Sequence, residues 1–425
     1  MGTALAEAQN KTNTAASGQP QQFIVTPARP WVVLVATLTV QSLVAMALIN
    51  LPVVAPVVGK AIGVSTNYLG AYVALVYFAA MVATLLGGAA VKRWGAIRLS
   101  QAGLLSSAVG LFLCAVPHPL SIALGALFIG AGYGPITPAS SHLLIKTTPP
   151  DKLSLVFSIK QTGVPLGGMI AGALVPSLDI AIGWQLAFVS AGIACVLCAW
   201  AVQPLRAGLD DDRDPTVKPS LVASVVQPLR LIFEHPSLRA LSLTSFLFAV
   251  CQMSLMAYLV TFLFEDLGWS LVAAGVALTV AQAGGVIGRI LWGYVADRWL
   301  SPTMMLIVIA LLLTAGATGT ALLRPDSSPL LLFPVLVIFG ASAIGWNGVF
   351  LAQIARLAPA GQASVATGGT LCITFFGVVL GPPLFGVLAG WLNSYGASYG
   401  VLGLLGLVIT VLLFRLRSAM SVVSK

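Results

Sequence analysis

The chain has 425 residues, of which 58% are apolar and only 8% charged, 21 basic against 12 acidic. A soluble domain carries about 25% charged residues, so there is too little charge here to cover a surface facing water. The net charge of +9 does not point to nucleic acid, because the Lys and Arg residues form no clustered basic face interleaved with aromatics.

The first 29 residues are rich in Ala, Thr, Gln and Asn, lack the apolar core of a cleavable signal, and read as a disordered tail. Crossing the hydrocarbon takes about 20 apolar residues per helix. Runs broken by Gly, Pro or charge predict spans at 31 to 58, 68 to 91, 98 to 116, 120 to 145, 153 to 177 and 184 to 203. After a gap they resume at 238 to 263, 271 to 295, 303 to 323, 330 to 357, 363 to 391 and 396 to 414. The fold class expected is an all-α integral membrane protein with twelve transmembrane helices in two pseudo-symmetric halves, 30–204 and 238–416, followed by a tail at 417–425. The gap, 205–237, is the most charged stretch of the chain, with Arg206, Asp210, Asp211, Asp212, Arg213 and Asp214 among its residues, and reads as a water-exposed linker.

Lys and Arg concentrate in cytoplasmic loops. With both termini inside, 17 basic residues fall on the linker's side and two, Lys60 and Arg324, on the other. That split predicts a multi-pass protein of a bacterial-type inner membrane with both termini and the linker in the cytoplasm, and accounts for the positive charge as topology. The five cysteines all lie in apolar stretches, and the pair Cys195 and Cys198 has no second pair or nearby His beside it. Neither a disulfide framework, a metal nor a cofactor is implied.

The halves repeat one another. Gly88 with Lys92 and Arg93 is matched 205 residues on by Gly293 with Asp297 and Arg298. Gly130 and Gly134 in the fourth span are matched by Gly340 and Gly345 in the tenth, and Gly163, Pro165, Gly167 and Gly168 in the fifth by Gly377, Gly381, Pro382 and Pro383 in the eleventh. Paired halves suit a carrier in which one rocks against the other about a central site.

These residues resemble the major facilitator superfamily over nearly the whole chain, from Trp31 to Phe414. The stretch Gly88-Ala-Ala-Val-Lys92-Arg93-Trp94-Gly95-Ala-Ile-Arg98 is similar to that family's loop between helices 2 and 3, with Lys92 standing where the family has Asp. Gly293-Tyr-Val-Ala-Asp297-Arg298 keeps the Asp. The resemblance implies gating by Asp297, Arg298, Lys92 and Arg93. Within the superfamily, Arg289-Ile-Leu-Trp292-Gly293-Tyr-Val-Ala-Asp297 and the helix 5 stretch Ser158 to Gly168 resemble carriers of small organic anions, the oxalate/formate exchangers, monocarboxylate transporters and cyanate transporters. In those carriers an arginine at the position of Arg289 holds the substrate carboxylate. The exchangers' second cation on helix 11 has no counterpart, since Thr370, Cys372 and Thr374 stand there.

Two charges fall well inside predicted spans, Lys160 and Arg289, each eight residues from a span end. At about 1.5 Å per residue both lie roughly 12 Å deep, near the midplane. No Asp or Glu shares that depth. Intramembrane charges are costly and mark function by default, and the missing counter-ion points to an anion brought by the substrate. The bland alternatives are a structural clamp, with Arg289 binding carbonyls of a neighbouring helix, and a Lys160 that snorkels toward the cytoplasm. Gln282, Gly285 and Trp292 share a face with Arg289. Tyr133, Trp346, Asn347, Gln41, Asn50 and Gln252 are further candidates for the cavity lining, each equally readable as interhelical packing. His142 reads as a helix-end histidine, with proton coupling as the alternative. Pro52, Pro56, Pro135, Pro138, Pro165 and Pro382 mark expected bends.

The function expected is secondary active transport of a small organic anion, a mono- or dicarboxylate, by alternating access, proton-coupled or by exchange. Its partners are then the anionic substrate, the bilayer and, where coupled, protons, and a site between the chain's own halves lets it work as a monomer. The alternative is a multidrug exporter of the same fold, which wants an acidic residue in its cavity. An enzyme would need a nucleophile, metal cluster or carboxylate pair at membrane depth.

Overall fold

The computed structural model describes residues 29–149, 153–216, 221–359 and 363–423. The predicted tail, but for its last residue, lies outside them. The first six spans comprise α1 (Arg29–Val53) continued by α2 (Ala55–Ile62), α3 (Leu69–Trp94), α4 (Ala96–Cys114), α5 (Pro119–Tyr133) continued by α6 (Ile136–Thr147), α7 (Leu153–Gln161) continued by α8 (Gly163–Ile182), and α9 (Trp184–Ala201). Two helices, α10 (Arg206–Leu209) and α11 (Leu221–Glu234), lie in the connection. The second six comprise α12 (Pro236–Glu265), α13 (Leu271–Arg298), α14 (Pro302–Ala321), α15 (Pro329–Gly345) continued by α16 (Asn347–Leu357), α17 (Ala363–Leu392) and α18 (Tyr395–Val423). Twelve stretches are long and apolar enough to cross a membrane, and no strand occurs among the described residues. Side chains such as Phe78, Leu124, Ile287 and Leu384 point outward, as lipid-facing positions do. The expected spans hold to within a few residues at most ends; the last runs on to Val423, past the predicted boundary at 416.

Prolines account for two of the helix breaks. Proline has no N–H to give the carbonyl four residues back, and in hydrocarbon that carbonyl needs another donor. Pro138 thus releases the carbonyl of Gly134, where α5 ends, and Thr84 Oγ1 of α3 donates to it at 2.9 Å. Pro165 releases the carbonyl of Gln161, where α7 ends. At Pro138 and Pro165 the expected bends coincide with helix breaks, each with a carbonyl freed inside the bundle, whereas Pro52 and Pro382 stand inside the continuous helices α1 and α17.

The linker is more than a solvated connection. Asp210 is buried, 6% exposed, because its carboxylate caps the start of α4: the backbone N–H groups of Ile97 and Arg98 donate to its two oxygens at 2.8 and 3.0 Å. Gly95 makes room for it, with φ at +97° and a Cβ there only 2.3 Å from Asp210 Cγ. Lys146 pairs with Asp211 and with Asp212, and His142 Nε2 meets Asp212 Oδ2 at 2.7 Å, so His142 is partnered at a helix end. The hydrogen bond from Lys146 holds the Asp211 carboxyl below the usual carboxylate range. Asp212 also lies below it: burial opposes its ionisation, and the bonds from His142 and Lys146 outweigh that. Farther on, Ile232 of α11 is buried against α17, where Gly369 meets the Pro228 carbonyl and the Ile232 side chain.

Capping contributions run at about 0.5–2 kcal/mol. Asp210→Ala strips two N–H groups of their acceptor and lowers the melting temperature of the detergent-purified protein by a few degrees. Asp210→Asn, which keeps one carbonyl oxygen, lies between the two in the same scan.

Candidate functional site

Arg289 sits two-thirds of the way along α13 and is held there by the helix beside it. The contact of α13 with α15 is close enough that a Cβ on Gly345 would stand 3.1 Å from the Arg289 backbone nitrogen, and Trp292 Nε1 donates to the Ala341 carbonyl at 2.8 Å. From this seat the guanidinium reaches two helix ends. Its Nε donates to the carbonyl of Ile344 at 3.2 Å, in the last turn of α15, and its Nη1 to the carbonyl of Gln161 at 2.8 Å, the last residue of α7. Helix C-termini carry partial negative charge, so a cation there is favoured twice over. The clamp anticipated from the sequence is thus present. It uses two of the five N–H donors of the guanidinium, and the side chain is only partly buried.

Lys160 lies one residue before that carbonyl and is 1% exposed, so its stem does not carry the ammonium out to water. Arg289 lies within electrostatic range of both Lys160 and the Tyr133 hydroxyl. The ion pairs among the described residues are those of His142, Lys146 and Arg230, and neither Lys160 nor Arg289 belongs to one. The centre therefore holds two basic side chains, one from each half.

Several other predicted residues join this centre. Asn347 Nδ2 donates to the Ile344 carbonyl at 3.4 Å, sharing it with Arg289, and to Gln252 Oε1 at 3.5 Å. Gln252 Oε1 also accepts from Trp346 Nε1 at 3.0 Å. Trp346 is 1% exposed and stacked on Phe248 at 5.1 Å, so it backs the site and does not line it. Tyr133 packs edge-on against Tyr77, ring centroids 6.1 Å apart. Gln282 and Gln41 sit elsewhere, fully buried against α8 at Gly168 and Gly163, and their amides have no hydrogen-bond partner among the described residues. Asn50 is buried in the same way. Of the predicted gating residues, Lys92 and Arg298 are exposed, neither they nor Arg93 forms an ion pair among the described residues, and the side chain of Asp297 lies outside these.

What sequence reasoning missed is the closure at the end away from the linker. Tyr258 of α12 reaches across to the start of α3, where its hydroxyl accepts from the Gly70 N–H at 2.7 Å and donates to the Asn67 carbonyl at 3.1 Å. The first N–H groups of a helix have no partner of their own, so one half caps the other. Tyr395 Oη donates to Asn67 Oδ1 and also lies 2.9 Å from Thr66 Oγ1; Thr66 Oγ1 in turn donates to Glu265 at 3.0 Å. Gly386 lets the chains approach, since a Cβ there would fall 2.3 Å from both the Asn67 carbonyl and the Tyr258 hydroxyl. The one available signal was a run of small polar residues, Ser65-Thr66-Asn67, between two apolar spans.

A bundle of twelve spanning helices, closed at one end and with a paired cationic centre between its halves, is the architecture of a membrane carrier. Residues 37–373 match the Major Facilitator Superfamily, and the chain belongs to that family of membrane transporters, which are not enzymes. It is 27% identical over 294 residues to the benzoate transport protein of Acinetobacter baylyi, a match spanning 62% of this chain and 61% of that one. It is 25% identical over 381 residues to the gentisate transporter of Corynebacterium glutamicum, covering 85% and 82%. Among solved structures, a bacterial homolog of the human lysosomal transporter Spinster, in an inward-facing and occupied conformation, superposes with a TM-score of 0.74 at 17% identity, covering 92% of this chain and 97% of that one.

Leaving a buried N–H unpaired costs about 1–3 kcal/mol. Tyr258→Phe therefore loosens the closed end, and hydrogen exchange at the Gly70 amide accelerates by about tenfold or more. Exchange at the α4 start, capped by Asp210, stays unchanged in the same experiment.

Proposed function

We propose that the protein is a secondary active transporter of small organic anions, mono- or dicarboxylates, working by alternating access between the halves 30–204 and 238–416. The observation that carries this reading is the pair Lys160 and Arg289, buried and half-buried, with no carboxylate paired to either among the described residues. Arginine's planar fork suits a carboxylate bidentately, and lysine adds a point charge. Arg289 presents that fork, with two of its donors held by the carbonyls of Ile344 and Gln161. Relatives named for benzoate and gentisate make aromatic acids the first substrates to try, with Tyr133 and Tyr77 as the aromatic wall beside the guanidinium.

In this reading the linker end faces the cytoplasm of a bacterial-type inner membrane, with both termini inside, as the 17 to 2 division of basic residues supports. The end sealed by Tyr258 then faces outward. A single chain holds the whole site and functions as a monomer. Coupling runs by protons or by anion exchange, and uptake with and without an imposed pH gradient separates the two.

A ligand that binds only the folded state raises its melting temperature, by about 2.7 kcal/mol of stability at a hundredfold excess over Kd. The test is a melting panel of benzoate, gentisate, formate, nitrate and a lipophilic cation. An organic acid stabilises the wild type, and Arg289→Gln, losing charge-assisted bonds of about 1.5–3 kcal/mol each, binds it at least about tenfold more weakly while keeping its fold. Stabilisation by the lipophilic cation, undiminished in Arg289→Gln, would instead establish the multidrug exporter.

A further inference from the structure

The two bonds that Arg289 makes differ in what they connect. Ile344 belongs to the same half as Arg289, so the bond to its carbonyl travels with that half. Gln161 belongs to the other half, so the bond to its carbonyl crosses the plane along which the halves must move. That acceptor exists because of one residue. The N–H that an α-helix would aim at the Gln161 carbonyl is that of residue 165, and residue 165 is proline.

We infer that the Gln161 carbonyl, kept free by Pro165, stands in for the substrate carboxylate at Arg289 in the empty carrier, tying the two halves across the centre until an anion displaces it. The inference rests on the anion reading above and adds the positioning residue Pro165 to it. A carbonyl at a helix C-terminus offers an oxygen with partial negative charge, the same kind of acceptor as a carboxylate oxygen but weaker. A full carboxylate can win Arg289 from it, whereas a neutral molecule cannot. Binding of the proper ligand thus breaks the bond by which Arg289 links the halves, and selectivity for anions and release of that tie become a single event. An empty carrier keeps the tie and resists reorientation, as exchange requires.

The equivalent break in α5 and α6 shows why the Gln161 carbonyl is special. There the carbonyl freed by Pro138 is satisfied by Thr84, a neutral hydroxyl of the same half, which also donates to the Ala80 carbonyl of its own helix at 2.7 Å. No charge and no second half is involved, and nothing about that bond changes when the halves move. Of the carbonyls freed by Pro138 and Pro165, that of Gln161 is the one taken by a cation from across the bundle.

Pro165→Ala restores the N–H, draws the Gln161 carbonyl back into a continuous helix and removes the tie without touching Arg289. The first readout needs no ligand: the distance between nitroxide labels at Arg98 and Arg356, exposed residues at the linker end of each half, on a background with the five native cysteines replaced by alanine. The empty parent gives one distance. Pro165→Ala adds a second population in the absence of any anion, and benzoate added to the parent produces the same population. Identical distributions for the empty parent and Pro165→Ala overturn the inference.

The second readout is the Kd for benzoate, which tightens about tenfold in Pro165→Ala, the factor that a net hydrogen bond of about 1.4 kcal/mol represents. An unchanged or weaker Kd, in a variant whose distances have shifted, overturns the competition between carbonyl and carboxylate. Should benzoate fail to bind the parent at all, the choice of anion falls while the distances still decide the tie. If Pro165→Ala does not accumulate as folded protein, Pro165→Gly restores the same N–H without a Cβ and runs the same comparison.

Discussion

Inside a bilayer a broken helix leaves carbonyl oxygens that no water reaches, and every such oxygen must find a donor in the protein. The centre of this molecule is arranged around that requirement. Helices α7 and α15 both stop within the bundle, and the donor that serves their ends is the guanidinium of Arg289. A neutral donor would satisfy hydrogen bonding alone, as Thr84 does at the α5 break. A cation also meets the negative ends of two helix dipoles, which offsets part of the cost of holding it at that depth. The stability of a buried arginine and the irregularity of the surrounding helices thus explain one another.

The two ends of the bundle solve a different problem with different chemistry. At the linker end the charged contacts lie within the first half and its linker: Asp210 on the start of α4, Lys146 with Asp211 and Asp212, and Asp212 with His142. These have no reason to break when the halves move. At the opposite end the contacts cross between halves and rest mainly on hydroxyl and amide groups, those of Tyr258, Tyr395, Asn67 and Thr66, with Glu265 as the one carboxylate. Net hydrogen bonds of this type are worth about 0.5–1.5 kcal/mol each because water replaces them readily. A closure that must open repeatedly is better made of several such bonds than of one buried ion pair, whose rupture costs about 3–5 kcal/mol.

The division between what was legible in the sequence and what was not follows the same physics. Crossing a membrane is a demand on composition, so the spans and the paired halves could be read from apolar runs and glycine spacing. Lys160 and Arg289 stood out because a charge in such a run is rare. The partners of Arg289 could not be read directly, because they are backbone carbonyls of Gln161 and Ile344, and any residue type supplies a carbonyl. Only Pro165, four residues past Gln161, hinted at a free one. Asp210 was read as a solvated linker charge for the complementary reason: its capping role depends on where α4 begins, and the mark of that is Gly95, whose positive φ leaves space for the carboxylate. Trp346 was expected to line the cavity, but its indole N–H found Gln252 and its ring found Phe248, which turned it into the wall behind the site.

Gln282 and Gln41 complete the argument about α8. Each presses on a glycine of that helix, and neither amide has a partner among the described residues, although both side chains are fully buried. An unpaired buried polar group costs about 1–3 kcal/mol, which hydrophobic residues of the same size would avoid. The cost is specific to the closely packed arrangement of α8 against α1 and α13, since any separation of these helices lets the amides be solvated. Packing at the glycines and unpaired amides thus act in opposite directions on the same interface. A carrier needs its states to lie within a few kcal/mol of one another so that ligand binding can shift the balance. An interface joined by close glycine contacts and opposed by unpaired amides has that property, and the tie from Arg289 of α13 to Gln161, the end of α7 just before α8, lies beside it.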